Sequence, residues 1–284
     1  MGVFYETIPE TLIEWIRKQH VFWVATAPLS ASGHVNVSPK GGQYFGVLDE
    51  KTFWYHDLSG SGNETIAHLY ENGRITIQLC AFEGGPKIVR LWGHGKVLEN
   101  GTKPFSDFIS KNSVELMPGT RSIIIVDIHQ VGSSCGFSVP FYDFKSYRPV
   151  LNDHFAKKEK RFKEGKEDES MDHYWAYKSA WSIDGMPGMK RGLTAAKTHK
   201  VAPLKKMVGP LAPTRYHSGL GFSVLQMLLI ALLSFLIGLT VAWHGQTIFN
   251  TLLTGVKGSP LELHVPNWTQ VSSSEKFRGL WSTH

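Results

Sequence analysis

Apolar and polar side chains alternate with period two in six stretches of the first half of the chain: 21–29, 34–38, 52–58, 74–82, 87–98 and 121–134. Such alternation, rich in β-branched and aromatic residues, is how half-buried strands read. Three segments with helical spacing fall between or before them, at 7–20, 61–72 and 102–112. The first opens on Thr7, Pro9 and Glu10, a pattern that predicts a capping box with Thr7 as N-cap. Short strands with small helices at the corners predict a mainly β domain over residues 1–150: a six-stranded closed barrel with peripheral helices, not a doubly wound sheet. No GxGxxG follows a strand, so a Rossmann site is not indicated. Residues 148–185 turn helical and amphipathic, which predicts a helical extension packed on the barrel over 151–189.

The pattern changes again near the C-terminus. The stretch 222–243, "FSVLQMLLIALLSFLIGLTVAW", carries no charge. As a helix it would reach about 33 Å, enough for a hydrocarbon core of about 30 Å, so a single C-terminal transmembrane helix is expected there. The alternative is a buried helix of a globular core. Seven basic residues precede the stretch and few follow it, so the positive-inside bias predicts a cytosolic N-terminal head and a lumenal or extracellular tail at 244–284. The tail holds one sequon, Asn267-Trp268-Thr269. The opening residues include acids and no apolar run, so no secretory leader is expected.

Charge narrows the partners. The formal net charge is +6, but Lys190, Arg191, Lys197, Lys200, Lys205, Lys206 and Arg215 sit together without an acid between 190 and 221. The excess therefore belongs to this segment, read as a basic flexible neck that can also lie on anionic lipid. The remainder is nearly neutral, and a nucleic-acid partner is not expected. Cys80 and Cys135 have no metal-ligand or CxxC spacing and sit among apolar residues, which predicts two buried, reduced thiols and no metal.

Candidate chemistry lies where strands end. In "HVNVSPKGG" (34–42) the alternation stops at Ser38, Pro39, Lys40 and two glycines. A hydroxyl, an ammonium and free amides at a strand end can hold an anion, although the stretch alone also reads as a solvated turn. In "DLSGSGNETIAHL" (57–69) small polar residues lead into a helix, whose N-terminal amides favour phosphate. Ser59, Ser61 and Asn63 are the candidates there. The alternative is plain capping by Asn63, and Glu64 competes for the same dipole. His56 and His94 are the strand histidines best placed for proton transfer, with a structural role as the alternative.

The succession of "FWVATAPL", "HVNVSPKGG", "FWYHDLSGSGNETIAHL", "RLWGHGKVLENG" and "SSCGFSVPFYDF" resembles the pyridoxamine 5′-phosphate oxidase-like, FMN-binding split-barrel family, and more narrowly its poorly characterised fungal branch, over roughly residues 1–190. The resemblance implies a homodimer with FMN between the subunits. It assigns the flavin phosphate to Lys40 at the end of the second strand, beside Ser38, and to Ser59, Ser61, Gly62 and Asn63 after the third. It also places Arg90 and Trp92 beside the flavin near the dimer seam, with partner contacts from Ser134, Gly136 and Ser138. Three basic residues of the true oxidases have no counterpart in "HVNVSPK" and "SGSGNE", and their arginine-containing substrate motif is not evident. The expectation is therefore a membrane-anchored FMN-dependent oxidoreductase acting on a small organic molecule, not a true pyridoxamine-phosphate oxidase. The alternative is a non-catalytic split-barrel module that binds flavin or haem.

Overall fold

A computed structural model of the chain describes residues 2–212 and 224–254. The chain divides into two compact units, 1–220 and 221–284. In the first, β1 (Val3–Tyr5) and α1 (Glu10–Arg17) lead into β2 (Val21–Thr26), β3 (Asn36–Gly41), β4 (Phe45–Asp49) and β5 (Thr52–Leu58). Then follow α2 (Glu64–Glu71), β6 (Arg74–Cys80), β7 (Ile88–Glu99), α3 (Lys103–Asn112) and β8 (Thr120–Ser134). Helices α4 (Val150–Lys163), α5 (Met171–Lys178) and α6 (Lys190–Thr198) complete the unit.

All strands join one antiparallel sheet in the order β3-β2-β6-β7-β8-β5-β4, with β1 added to the far end of β8. The path is open, with β3 and β4 at its two ends, so the closed barrel expected from the sequence is instead a half-barrel sheet with flanking helices that fits the split barrel. Two strands go beyond the six expected. β1 is three residues long and β4 is five, set off from β3 only by residues 42–44, so neither offers enough alternation to read. Phe22, Phe53, Tyr55, Ile77, Leu79, Leu91 and Ile124 form the centre of the core, with the Phe22 ring 5.4 Å from both Phe53 and Tyr55. The opposite face of β5 and β8 is covered by α3, where Phe105 and Phe108 pack on Ile123 and Trp54.

Three local expectations are corrected. Helix α1 is capped by Pro9, not Thr7, and no side chain bonds its first amides. Cys80 is buried, but Cys135 is exposed on the loop after β8. The start of the expected flexible neck is helix α6, docked by its own sequence. Buried Glu99 of β7 accepts from the amides of Lys190 (2.7 Å) and Arg191 (2.9 Å), meeting the partial positive charge of the α6 N-terminus. Arg191 also reaches Asp172 of α5 at 2.6 Å and lies over the Trp175 ring. Further on, the Leu204 amide bonds the Tyr177 carbonyl, and Lys206 is nearly buried.

The second unit contains α7 (Val224–Thr254). The single-pass membrane span expected over 222–243 is not supported: among the described residues no helix is long and apolar enough to cross a membrane. The sequence of α7 continues through His244, Gln246 and Asn250, which are not membrane-core residues. The assignment of a cytosolic head and a lumenal or extracellular tail falls with the span. Residues 213–223 of the expected neck and span, and 255–284 of the expected tail, lie outside the described residues.

Candidate anion-binding site

Asn36, Ser38 and Lys40 alternate along β3 and share its partly buried face, because successive strand side chains point to opposite sides. That face looks onto the end of β5 and the start of α2. There, Lys40 Nζ donates to Asp57 Oδ1 at 3.1 Å, and the Asp57 carboxylate is wholly buried. A second cation meets the same carboxylate: Arg121 donates from Nε to Oδ2 at 2.7 Å and from Nη2 to Oδ1 at 3.3 Å. Ser122 Oγ adds a bond at 3.3 Å.

Arg121 reaches this position through a β-bulge. Asp57 pairs with Ser122 and the next residue of β5, Leu58, pairs with Thr120, so Arg121 is the unpaired extra residue between them. A bulge re-aims the side chain it carries, and here it turns a guanidinium inward at the head of an otherwise apolar strand. Arg121 Nη1 also donates to the Gly62 carbonyl (2.6 Å) and to Ser179 Oγ (3.2 Å), tying the turn before α2 to the end of α5.

Around this ion cluster lies a cavity of about 160 Å³ lined by Ser38, Lys40, Leu58, Gly60, Gly62, Glu64, Thr65 and Arg121. Glu64 looks like the wrong charge for an anion, but its carboxylate is engaged. Oε2 accepts from the Asn63 amide at 2.8 Å, Oε1 from the Ile183 amide at 3.1 Å, and Lys206 Nζ stands 3.8 Å from Oε1. Burial alone would push the Asp57 carboxyl up; Arg121 and Lys40 outweigh it and bring it down to about 2. The same pairing, against burial, raises Arg121. Two cations thus share one fully ionised carboxylate, leaving the pocket floor net positive.

The predicted residues divide. Ser38, Lys40 and Gly62 line the cavity. Ser59 lies behind it, buried, with its amide on the Gly119 carbonyl and its Oγ accepting Trp175 Nε1 at 2.7 Å. Ser61 is exposed and does not line it. Asn63 is the N-cap residue of α2 by backbone, yet its fully buried amide side chain makes no cap bond. It packs against Gly188 so closely that a Cβ there would lie 1.4 Å from Asn63 Nδ2. Arg90 and Trp92 stand apart from the cavity on β7: Arg90 Nε donates to Gln78 Oε1 at 3.1 Å, and Trp92 stacks on Phe4. His56 is held by Thr120 Oγ1, and burial lowers it to about 4, which keeps it neutral and structural. His94 is 5.5 Å from His129 and outside the cavity.

Asp57 and Arg121 escaped the sequence reading. The signal was a lone acid closing one apolar strand and a lone base opening another. Buried charges need partners, so each implied the other.

A split barrel with a cationic pocket between a strand end and a helix start defines the class of protein. Comparison with known proteins agrees: residues 8–135 match the family model described as pyridoxamine 5′-phosphate oxidase. The pyridoxamine 5′-phosphate oxidase family protein ustO of Aspergillus flavus is 36% identical over 197 residues, covering 66% of this chain and 78% of that protein. The chain belongs to the pyridoxamine 5′-phosphate oxidase family. Among solved structures, HupZ of Group A Streptococcus matches 44% of this chain and 92% of its own at 18% identity, with a TM-score of 0.34. An FAD-binding protein of Mycobacterium smegmatis matches 46% and 97% at 12% identity, with a TM-score of 0.33.

Proposed function

We propose that the chain binds a flavin nucleotide, FMN, with its phosphate in the Lys40–Arg121 pocket, and that it is a flavin-dependent oxidoreductase acting on a small organic molecule. The observation that carries this reading is the pair of cations over one shared buried carboxylate, opening into a cavity of about 160 Å³. That volume and donor set suit a phosphate group and not a whole nucleotide, so the remainder of the cofactor extends past the rim. Ser38 and Lys40 would hold the phosphate oxygens together with the backbone at Gly60 and Gly62, and Arg121 would supply charge from below. Arg121 answers part of the deficit left by the basic residues missing after β5, because it reaches the same space from β8. A bound flavin supplies electron transfer; the residues described here bind, orient and neutralise.

Arg90 and Trp92 belong to this reading only through a homodimer, in which β7 of one subunit would face the cofactor. Flavin absorption and fluorescence of the purified full chain, titrated with FMN, test the proposal. Lys40→Ala should weaken binding by about 1–3 kcal/mol, the worth of one charge-assisted bond, without unfolding the chain. Arg90→Ala should weaken it only if the dimer contact exists, and sedimentation of the same sample reads the dimer directly. A chain that ignores FMN would discard the assignment. A chain that binds FMN but never exchanges electrons with any donor would be a flavin-binding module.

A further inference from the structure

Just before β3 stands a group that the proposed function does not use. His34 lies two residues before Asn36, the first residue of β3, within about 7 Å of chain from it. Its Nδ1 meets Asp184 Oδ1 at 2.5 Å and its amide donates to Asp184 Oδ2 at 2.8 Å, so one carboxylate holds both the ring and the backbone. An ionised carboxylate only accepts, so Nδ1 carries the hydrogen and Nε2 is left as an acceptor in the neutral ring. Nε2 has no protein partner among the described residues, and the His34 side chain is 51% exposed whereas Asp184 is 13% exposed.

Chain neighbours of both members are bonded to residues of the pocket wall. Asn36, on the His34 side, donates to Thr65 Oγ1 at 3.1 Å and accepts from Ser38 Oγ at 3.2 Å. On the Asp184 side, the adjacent Ile183 amide is fixed by Glu64. Thr65, Ser38 and Glu64 all line the cavity. The approach is tight: a Cβ on Gly33 would lie 2.3 Å from Pro28 Cγ and 3.2 Å from Asp184 Oδ2.

We propose that His34, oriented by Asp184, forms a second subsite beside the phosphate pocket, where Nε2 accepts a hydrogen bond from a hydroxyl of the bound phosphate ester. The ligand class is a hydroxyl-bearing organic phosphate, of which FMN is one. The inference rests on the phosphate-pocket reading and adds specificity to it, since inorganic phosphate fills the pocket without reaching His34.

The test uses the full chain and two probes, inorganic phosphate and FMN, followed by ¹⁵N resonances of the histidine rings and by affinity. FMN should shift the His34 Nε2 resonance, whereas inorganic phosphate should shift the Lys40 amide and leave His34 alone. His34→Gln should weaken FMN about 2- to 10-fold, the worth of one neutral hydrogen bond, and leave phosphate affinity unchanged. Asp184→Asn should disturb the Nδ1 signal and weaken FMN in the same sense. If FMN binds and shifts Lys40 but not His34, with both variants binding normally, the subsite is overturned and the phosphate pocket stands. If neither probe shifts either residue, pocket and subsite fall together.

Discussion

Two cations, Lys40 and Arg121, depend on the buried carboxylate of Asp57. Removing its charge leaves Arg121 buried beside a neutral amide, and breaking a buried pair from one side typically costs about 3–5 kcal/mol. Asp57→Asn should lower stability by that order in denaturant titration, far more than Lys40→Ala. The same residue sets an acid limit. Its carboxyl lies at about 2 in the fold against 3.8 unperturbed, so it stabilises above pH 4 by about 2 kcal/mol, and that is lost as pH falls from about 4 to 2. His56 adds an earlier loss. With its folded value at about 4 against 6.5, the unfolded chain takes up this proton first, and stability declines as pH drops below 6.5. Stability measured against pH should therefore fall in two steps, and Asp57→Asn should abolish only the lower one.

At the scale of elements, one glutamate serves as a helix cap from across the fold. Glu99, on β7, accepts two α6 amides and the Tyr70 hydroxyl. Glu99→Ala should cost about 2–4 kcal/mol and loosen α6 first, seen as faster amide exchange at Lys190 and Arg191. This contact also shows what was legible in the sequence. Long alternating strands such as β5 and β7 read correctly because their burial pattern is local. Ser38 and Lys40 of β3 and Gly62 of the turn after β5, which line the cavity, were picked out because strand ends and helix starts advertise their amides and small residues. Arg121 was not, because the bulge that aims it exists only in the register between β5 and β8, which no single segment encodes. Nor was α6, whose stability comes from an acid some ninety positions earlier in the chain.

For the first unit as a whole, the pocket depends on the extension beyond the segment matched by the family model. Ser59 is bonded by Trp175, Arg121 by Ser179 and Glu64 by the Ile183 amide. A chain ending at Tyr147 keeps every strand but removes these three bonds. It should bind FMN much more weakly than the full chain, and dye binding should report newly exposed apolar surface around Ile66 where Trp175 and Met189 pack. If that fragment binds flavin as the full chain does, the extension is only a neighbour of the site.

The bond from Glu64 to the Ile183 amide also has a consequence in time. A ribosome delivers residues at roughly 5–20 per second, so Ser38 and Ile183 emerge an interval of the order of ten seconds apart. Until Ile183 and Lys206 appear, Glu64 presents an incompletely neutralised carboxylate to the pocket and repels a phosphate. On the proposed function, a nascent barrel with all its strands paired would hold a phosphate poorly until the last part of the unit has been made.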